Sequence, residues 1–69
     1  MKINTRKYSK QFYTRDVIIS GIEDYKKLSI IELSEDEEYY FCFFNSCIID
    51  PERIMLEFDN YLIELLNSH

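Results

Sequence analysis

The spacing of apolar residues along the chain switches between a period near two and a period near 3.6, and the switches mark out five elements. Residues 2–8 alternate weakly, with Ile3 and Tyr8 as the main apolar positions and Thr5 as a β-former, which predicts a polar edge strand. Thr14 then reads as an N-cap, with Asp16 in the first turn where negative charge suits the helix dipole. Ile18, Ile22 and Tyr25 follow at i, i+4 and i+7 with Val17 beside them, so the spacing predicts a helix over 15–27. Lys26 and Lys27 suit its C-terminal end. Gly21, in the middle, costs about 1 kcal/mol relative to alanine. It reads either as a place of close packing on a sheet or as a plain helix defect.

Residues 28–33, with Ile30, Ile31 and Leu33, predict a second strand, and Ser34 to Glu37 a turn. Residues 38–44 give the strongest strand signal, because Tyr39, Tyr40, Phe41, Cys42, Phe43 and Phe44 follow one another. Cys47 to Ile49 extend or kink that strand. Asp50-Pro51-Glu52 is a helix start, with Asp as N-cap, Pro at the first helical position and an acid in the first turn. Beyond it, Ile54, Phe58, Tyr61, Leu62 and Leu65 form an apolar stripe flanked by Met55 and Leu66.

The expected fold class is therefore α+β, in the order β-α-β-β-α, as one domain over residues 1–69. A crossover that leaves room for a third strand between its two strands is half of a ferredoxin-like unit. The expected sheet has three strands in the order 1-3-2, a truncated ferredoxin-like arrangement, with two helices on one face. The middle strand should be apolar on both sides, and residues 39–44 are. Alternation divides Tyr39, Phe41 and Phe43 from Tyr40, Cys42 and Phe44. The small Cys42 suits close helix approach, which assigns Tyr39, Phe41 and Phe43 to an open face. A contiguous aromatic patch there marks an interaction site, covered by a homodimer or by a foreign protein. The first strand also keeps an unpaired edge to which an extended peptide can add, although its charges equally serve to protect that edge.

Composition narrows the classes. A 69-residue chain with 46% hydrophobic and 16% aromatic residues is not a disordered segment. Its core is thin, and chains of this size often draw on a staple, a metal or an oligomer. Neither a signal peptide nor an apolar run of spanning length is visible, so the expected compartment is the cytoplasm, with no membrane partner. Two cysteines, Cys42 and Cys47, are no disulfide framework. The formal net charge is −5. Lys2, Arg6, Lys7, Lys10 and Arg15 precede every acid, and all 13 acids follow, against only Lys26, Lys27 and Arg53. That sign argues against nucleic acid, while the basic strand, through Lys2, Arg6 and Lys7, suits an acidic peptide. The bland reading of the same charges is a solvated edge.

Little in the chain carries catalytic chemistry. The single histidine is His69, and a cysteine nucleophile needs a base within reach. Cys42 and Cys47 with one histidine supply too few ligands for a structural zinc site; they read as small buried hydrophobes. The run Glu35 to Glu38 reads as solvated turn surface, with weak cation binding or phosphate mimicry as the sharper alternative. One glycine cannot build a phosphate loop. No catalytic residue, metal ligand or cofactor is expected.

The polar first strand, "DVIISGIEDYKKLSIIEL" at 16–33, the aromatic strand "EYYFCFF" at 38–44 and "ERIMLEFDNYLIELL" at 52–66 together resemble the HxsD-like small accessory proteins of radical-enzyme peptide-maturation systems. The resemblance covers most of the chain and rests on Tyr25, the aromatic strand and the segment Glu57-Phe58-x-Asn60-Tyr61-Leu62. It implies an accessory role beside a modifying enzyme and a ribosomally made precursor peptide, with no catalytic residue here. The leading expectation is a non-catalytic accessory or adaptor domain that binds a peptide or protein through Tyr39, Phe41, Phe43, Lys2, Arg6 and Lys7. The alternative is a small acidic inhibitor, phage-type or antitoxin-like, that occupies a basic site on its target.

Overall fold

In the computed structural model, which describes residues 4–68, the elements run β1 (Thr5–Ser9), α1 (Arg15–Tyr25), β2 (Ile30–Glu35), β3 (Tyr39–Asn45) and α2 (Pro51–Asn67). The strand order is β1-β3-β2, and β3 is antiparallel to both neighbours. β1 and β2 therefore run parallel, with α1 as their crossover and β3 filling the gap between them. This is the α+β arrangement that the apolar pattern predicts.

Local chemistry sets the helix starts. The Thr14 hydroxyl accepts the Val17 amide at 3.3 Å, and the Asp50 carboxylate accepts the Glu52 amide at 3.2 Å ahead of Pro51. Both are side-chain caps on amides that lack an intrahelical partner. α1 closes two residues short of its predicted end. The Leu28 and Ser29 amides both bond back to the Tyr25 carbonyl, so Lys26 and Lys27 lie in the closing turn. The same two bonds delay β2, which begins at Ile30 and runs on to Glu35 opposite Tyr40. The turn is correspondingly tight. Asp36 accepts the amides of Glu38 and Tyr39 on one carboxylate oxygen, each at 2.8 Å. β3 ends where Ser46 takes a left-handed backbone (φ 52°), so Cys47 to Ile49 turn away and do not extend the strand; the Ile48 amide bonds to the Leu28 carbonyl.

The core lies between the helices and one face of the sheet. Val17 and Ile18 of α1, Ile54, Met55, Phe58 and Leu62 of α2, and Tyr8, Ile31, Tyr40, Cys42 and Phe44 of the strands are its buried members. Phe58, fully buried, is the hub: its ring meets Phe44 edge-on at 5.2 Å, Tyr25 edge-on at 5.4 Å and Tyr8 at 6.1 Å. Rings at these separations and tilts interact favourably beyond their buried area. Gly21 is where the helices cross. A Cβ there would lie 2.6 Å from Leu62 Cδ2 and 3.0 Å from Phe58 Cε1. The glycine thus admits α2, not the sheet, to close contact with α1.

Candidate functional site

The register assigns each strand residue to a face. Tyr40, Cys42 and Phe44 point to the helices and are buried. Tyr39 and Phe41 are half-buried on the other side, and Phe43 is 37% exposed. Opposite Phe43 stand Thr5 and Glu32, and opposite Phe41 stand Lys7 and Ser34. The open face is thus an aromatic stripe along β3 with polar side chains on both flanks. The flanks differ in sign. On β1, Lys7 is exposed, with its ammonium 4.4 Å from the centre of the Tyr39 ring, a cation–π contact. On β2, Glu32 is exposed and accepts the Asn45 side-chain amide at 2.6 Å. Tyr39 and Phe41 lie 6.3 Å apart and brace each other. Ile30, beside Asn45, extends the apolar surface and is 59% exposed. Ile30 is not among the expected site residues, although the sequence carries its signal: it shares parity with Glu32 and Ser34.

The basic residues of the first strand separate. Lys7 joins the open face. Arg6 lies opposite Cys42 and so turns towards the helices, where its Nε sits 3.3 Å from Asp59 Oδ2. The Tyr8 hydroxyl donates to the other oxygen, Asp59 Oδ1, at 2.6 Å. Asp59 therefore ties β1 to α2 twice, and Arg6 serves the fold more than the open face. Lys2 lies outside the described residues. Lys10, just beyond β1, pairs with Glu35 at 2.8 Å, which holds the Glu35 carboxyl below the usual range.

The ladder also fixes the edge of β1. Phe44 donates to the Asn4 carbonyl and Lys10 to the Glu38 carbonyl. In an antiparallel pair such bonds recur at every second residue, so Asn4, Arg6, Tyr8 and Lys10 face β3. The backbone groups of Thr5 and Lys7 point outward along an edge that no other strand covers among the described residues.

Elsewhere the chemistry is structural. Cys42 is fully buried, and burial pushes its thiol up to about 12; a thiol held protonated is a poor nucleophile. Cys47 lies 3.2 Å from the buried Ser29 hydroxyl, which donates to the Asn45 carbonyl at 2.9 Å. These contacts anchor the loop after β3. His69 lies outside the described residues. Among the described residues no group of three or more His, Cys, Asp or Glu is placed to hold a metal ion, and no helix is long and apolar enough to cross a membrane. In the acidic turn, Glu35 and Asp36 are engaged by Lys10 and by backbone amides, while Glu37 and Glu38 are exposed. Backbone donation also holds the Asp36 carboxyl low. A shallow groove of about 440 Å³ runs between the start of α1 and the end of α2, lined by Thr14, Asp16, Val17, Ser20, Leu65 and Leu66. Set against protein-family models, curated proteins and solved structures, the chain finds no match.

Proposed function

We propose that the protein is a non-catalytic accessory or adaptor domain that works in the cytoplasm and binds a protein or peptide partner on the uncovered face of its sheet. The observation that carries this reading is the two-sidedness of β3. It presents Tyr39, Phe41 and Phe43 away from the helices, next to the exposed Ile30. Apolar surface gathered on one sheet face, rimmed by polar groups, is the usual form of an interaction site. The outward backbone groups of Thr5 and Lys7 offer an extended peptide a place beside that face. The resemblance to peptide-maturation accessories makes a precursor peptide and its modifying enzyme the partners to try first.

The test compares two substitutions on opposite sides of the molecule. Phe43→Asp charges the open face; Leu56→Asp charges the exposed outer side of α2, where Leu56 is 58% exposed. Proteins retained from native lysate by the immobilised wild-type chain should be lost with Phe43→Asp and kept with Leu56→Asp, with both variants as folded as the parent by circular dichroism. Retention that Phe43→Asp leaves unchanged rejects the open face as the interface with those retained proteins.

The acidic-inhibitor reading keeps one supporting observation, the exposed Glu37 and Glu38 at the tip of the β2–β3 turn. Its strongest form needs all four acids of the turn, and two of them are already engaged within the fold. Reversal of Glu37 and Glu38 to lysine should abolish capture of a cationic partner under that reading and leave capture unchanged under the leading one.

A further inference from the structure

We propose that the occupant of the open face is a second copy of this chain, stacked sheet to sheet about a two-fold axis that runs parallel to β3. The inference rests on the reading of that face as an interface and names what covers it.

The open face is complementary to itself. Across the face the side chains run from Lys7 on β1, through Phe41 and Phe43 on β3, to Ser34 and Glu32 on β2. The face is therefore basic on one flank, aromatic in the middle and acidic on the other. An isologous contact must match a patch with itself, and two in-plane axes can lay this face on its own copy. An axis across the strands sets β1 on β1, so that Lys7 of each copy meets Lys7 of the other and Glu32 meets Glu32. An axis along β3 keeps the aromatic stripe on the aromatic stripe and exchanges the flanks. Each Lys7 then stands over the other copy's Ser34–Glu32 flank, within reach of a lysine side chain when stacked sheets lie about 10 Å apart. The relative rotation of packed sheets, about 30°, shifts the match along the strands without reversing its sign. Only the second axis pairs opposite charges, and like charges across an interface select against the first.

The stripe is suited to that role. Tyr39 and Phe41 brace each other, so little of their side-chain freedom is lost on contact. Phe43 and Ile30 supply exposed apolar area at one end. The stack leaves both sheet edges open, so the outward backbone groups of Thr5 and Lys7 stay available to a peptide in the dimer.

The test is the mass in solution, by size exclusion with light scattering, across a concentration series from low micromolar to several hundred micromolar. The wild-type chain should run as a dimer, and Phe43→Asp should raise the dimer dissociation constant at least a hundredfold. Lys7→Glu alone and Glu32→Lys alone should each weaken the dimer about three- to tenfold, the size expected of exposed charge pairs. The double variant, with the flanks exchanged, should regain wild-type affinity. A wild-type monomer throughout the series overturns the proposal, as does a dimer indifferent to Phe43→Asp. Masses that climb past the dimer also overturn it, because they signal the basic β1 edge pairing with the acidic β2 edge in an open chain. A double variant weaker than either single one overturns the choice of axis. Failure here is distinct from failure of the function: a monomer whose lysate partners vanish with Phe43→Asp keeps the face as an interface and rejects only the second copy.

Discussion

The two sides of β3 are made of nearly the same material and do opposite work. Tyr40, Cys42 and Phe44 are sealed under the helices, whereas Tyr39, Phe41 and Phe43 lie on a face that no second layer covers among the described residues. On the covered side the partners come from distant elements, as Phe44 meets Phe58 of α2 and the Tyr8 hydroxyl donates to Asp59 of α2. On the open side the contacts are short-range, within β3 itself or with Lys7 on the adjacent strand. The difference teaches that aromatic content alone does not define a core. What defines it is the number of independent elements that converge on each ring, and a ring lacking them is free to serve recognition.

Phe58→Ala tests the comparison most severely. It removes the ring on which β1, β3 and α1 meet, and should cost about 3–5 kcal/mol, enough to leave a chain of this size largely unfolded. At protein concentrations below the dimer dissociation constant, Phe43→Asp should change stability by less than about 1 kcal/mol. Urea denaturation followed by far-ultraviolet circular dichroism reads both, and equal losses would erase the distinction between the faces.

Alkaline pH reaches the covered side next. Burial raises Cys42 to about 12 from an ordinary value of 9.0, and burial with the Asp59 hydrogen bond raises Tyr8 above its ordinary 10.0. In both, the native fold favours the protonated form. The stability tied to these groups is therefore complete below pH 9 and falls as pH climbs, because the unfolded chain releases protons that the folded one keeps. The expected slope is about 1.4 kcal/mol per pH unit for Cys42 between 9 and 12, steepening above 10 as Tyr8 joins. Tyr8→Phe should flatten the curve above pH 10 in a series of urea titrations; an unchanged slope would show that Tyr8 is not the group responsible.

Gly21→Ala sets helix propensity against packing. Alanine would return about 1 kcal/mol to α1, but its methyl would press on Leu62 and Phe58, at 2.6 and 3.0 Å. Overpacking of this kind costs about 1–3 kcal/mol, so the variant should be less stable by about 1 kcal/mol. A gain in melting temperature would mean that the two side chains yield freely. The smallest effect is expected at Ser46, outside both faces. Glycine there accepts φ 52° without strain, and the loss of chain stiffness in the unfolded state offsets part of that gain. A net stabilisation of about 0.5 kcal/mol should appear as a small upward shift in the urea midpoint.

Much of this architecture is legible in the sequence because its signals are local. Thr14 and Asp50 announce their helices through bonds that span two or three residues, and the alternation of 39–44 places Cys42 under the helices by size alone. What escapes is set at a distance. The late start of β2 depends on Leu28 and Ser29 completing the turn on Tyr25. The partner of Gly21 is a helix that begins thirty residues later in the chain. Of the basic residues offered as one binding group, Arg6 and Lys7 lie on opposite faces. The parity of Arg6 with Tyr8 carries that information, but only the position of Asp59 on α2 explains why a guanidinium is tolerated there.

The strand order has a consequence for how the molecule comes together in time. β2 and β3 are joined by a tight turn and close over a short loop, whereas β1 must wait for β3 and then close a loop that contains α1 and β2. The cost of that closure grows with loop length, so the β2–β3 hairpin is expected to form before β1 docks. During synthesis the basic strand is made before its aromatic partner. In the finished protein it is also the strand expected to detach first. Hydrogen exchange should therefore run faster at the Arg6 and Tyr8 amides, bonded to β3, than at the amides shared between β2 and β3, with the Arg6 and Tyr8 side chains released from Asp59 of α2 in the same opening.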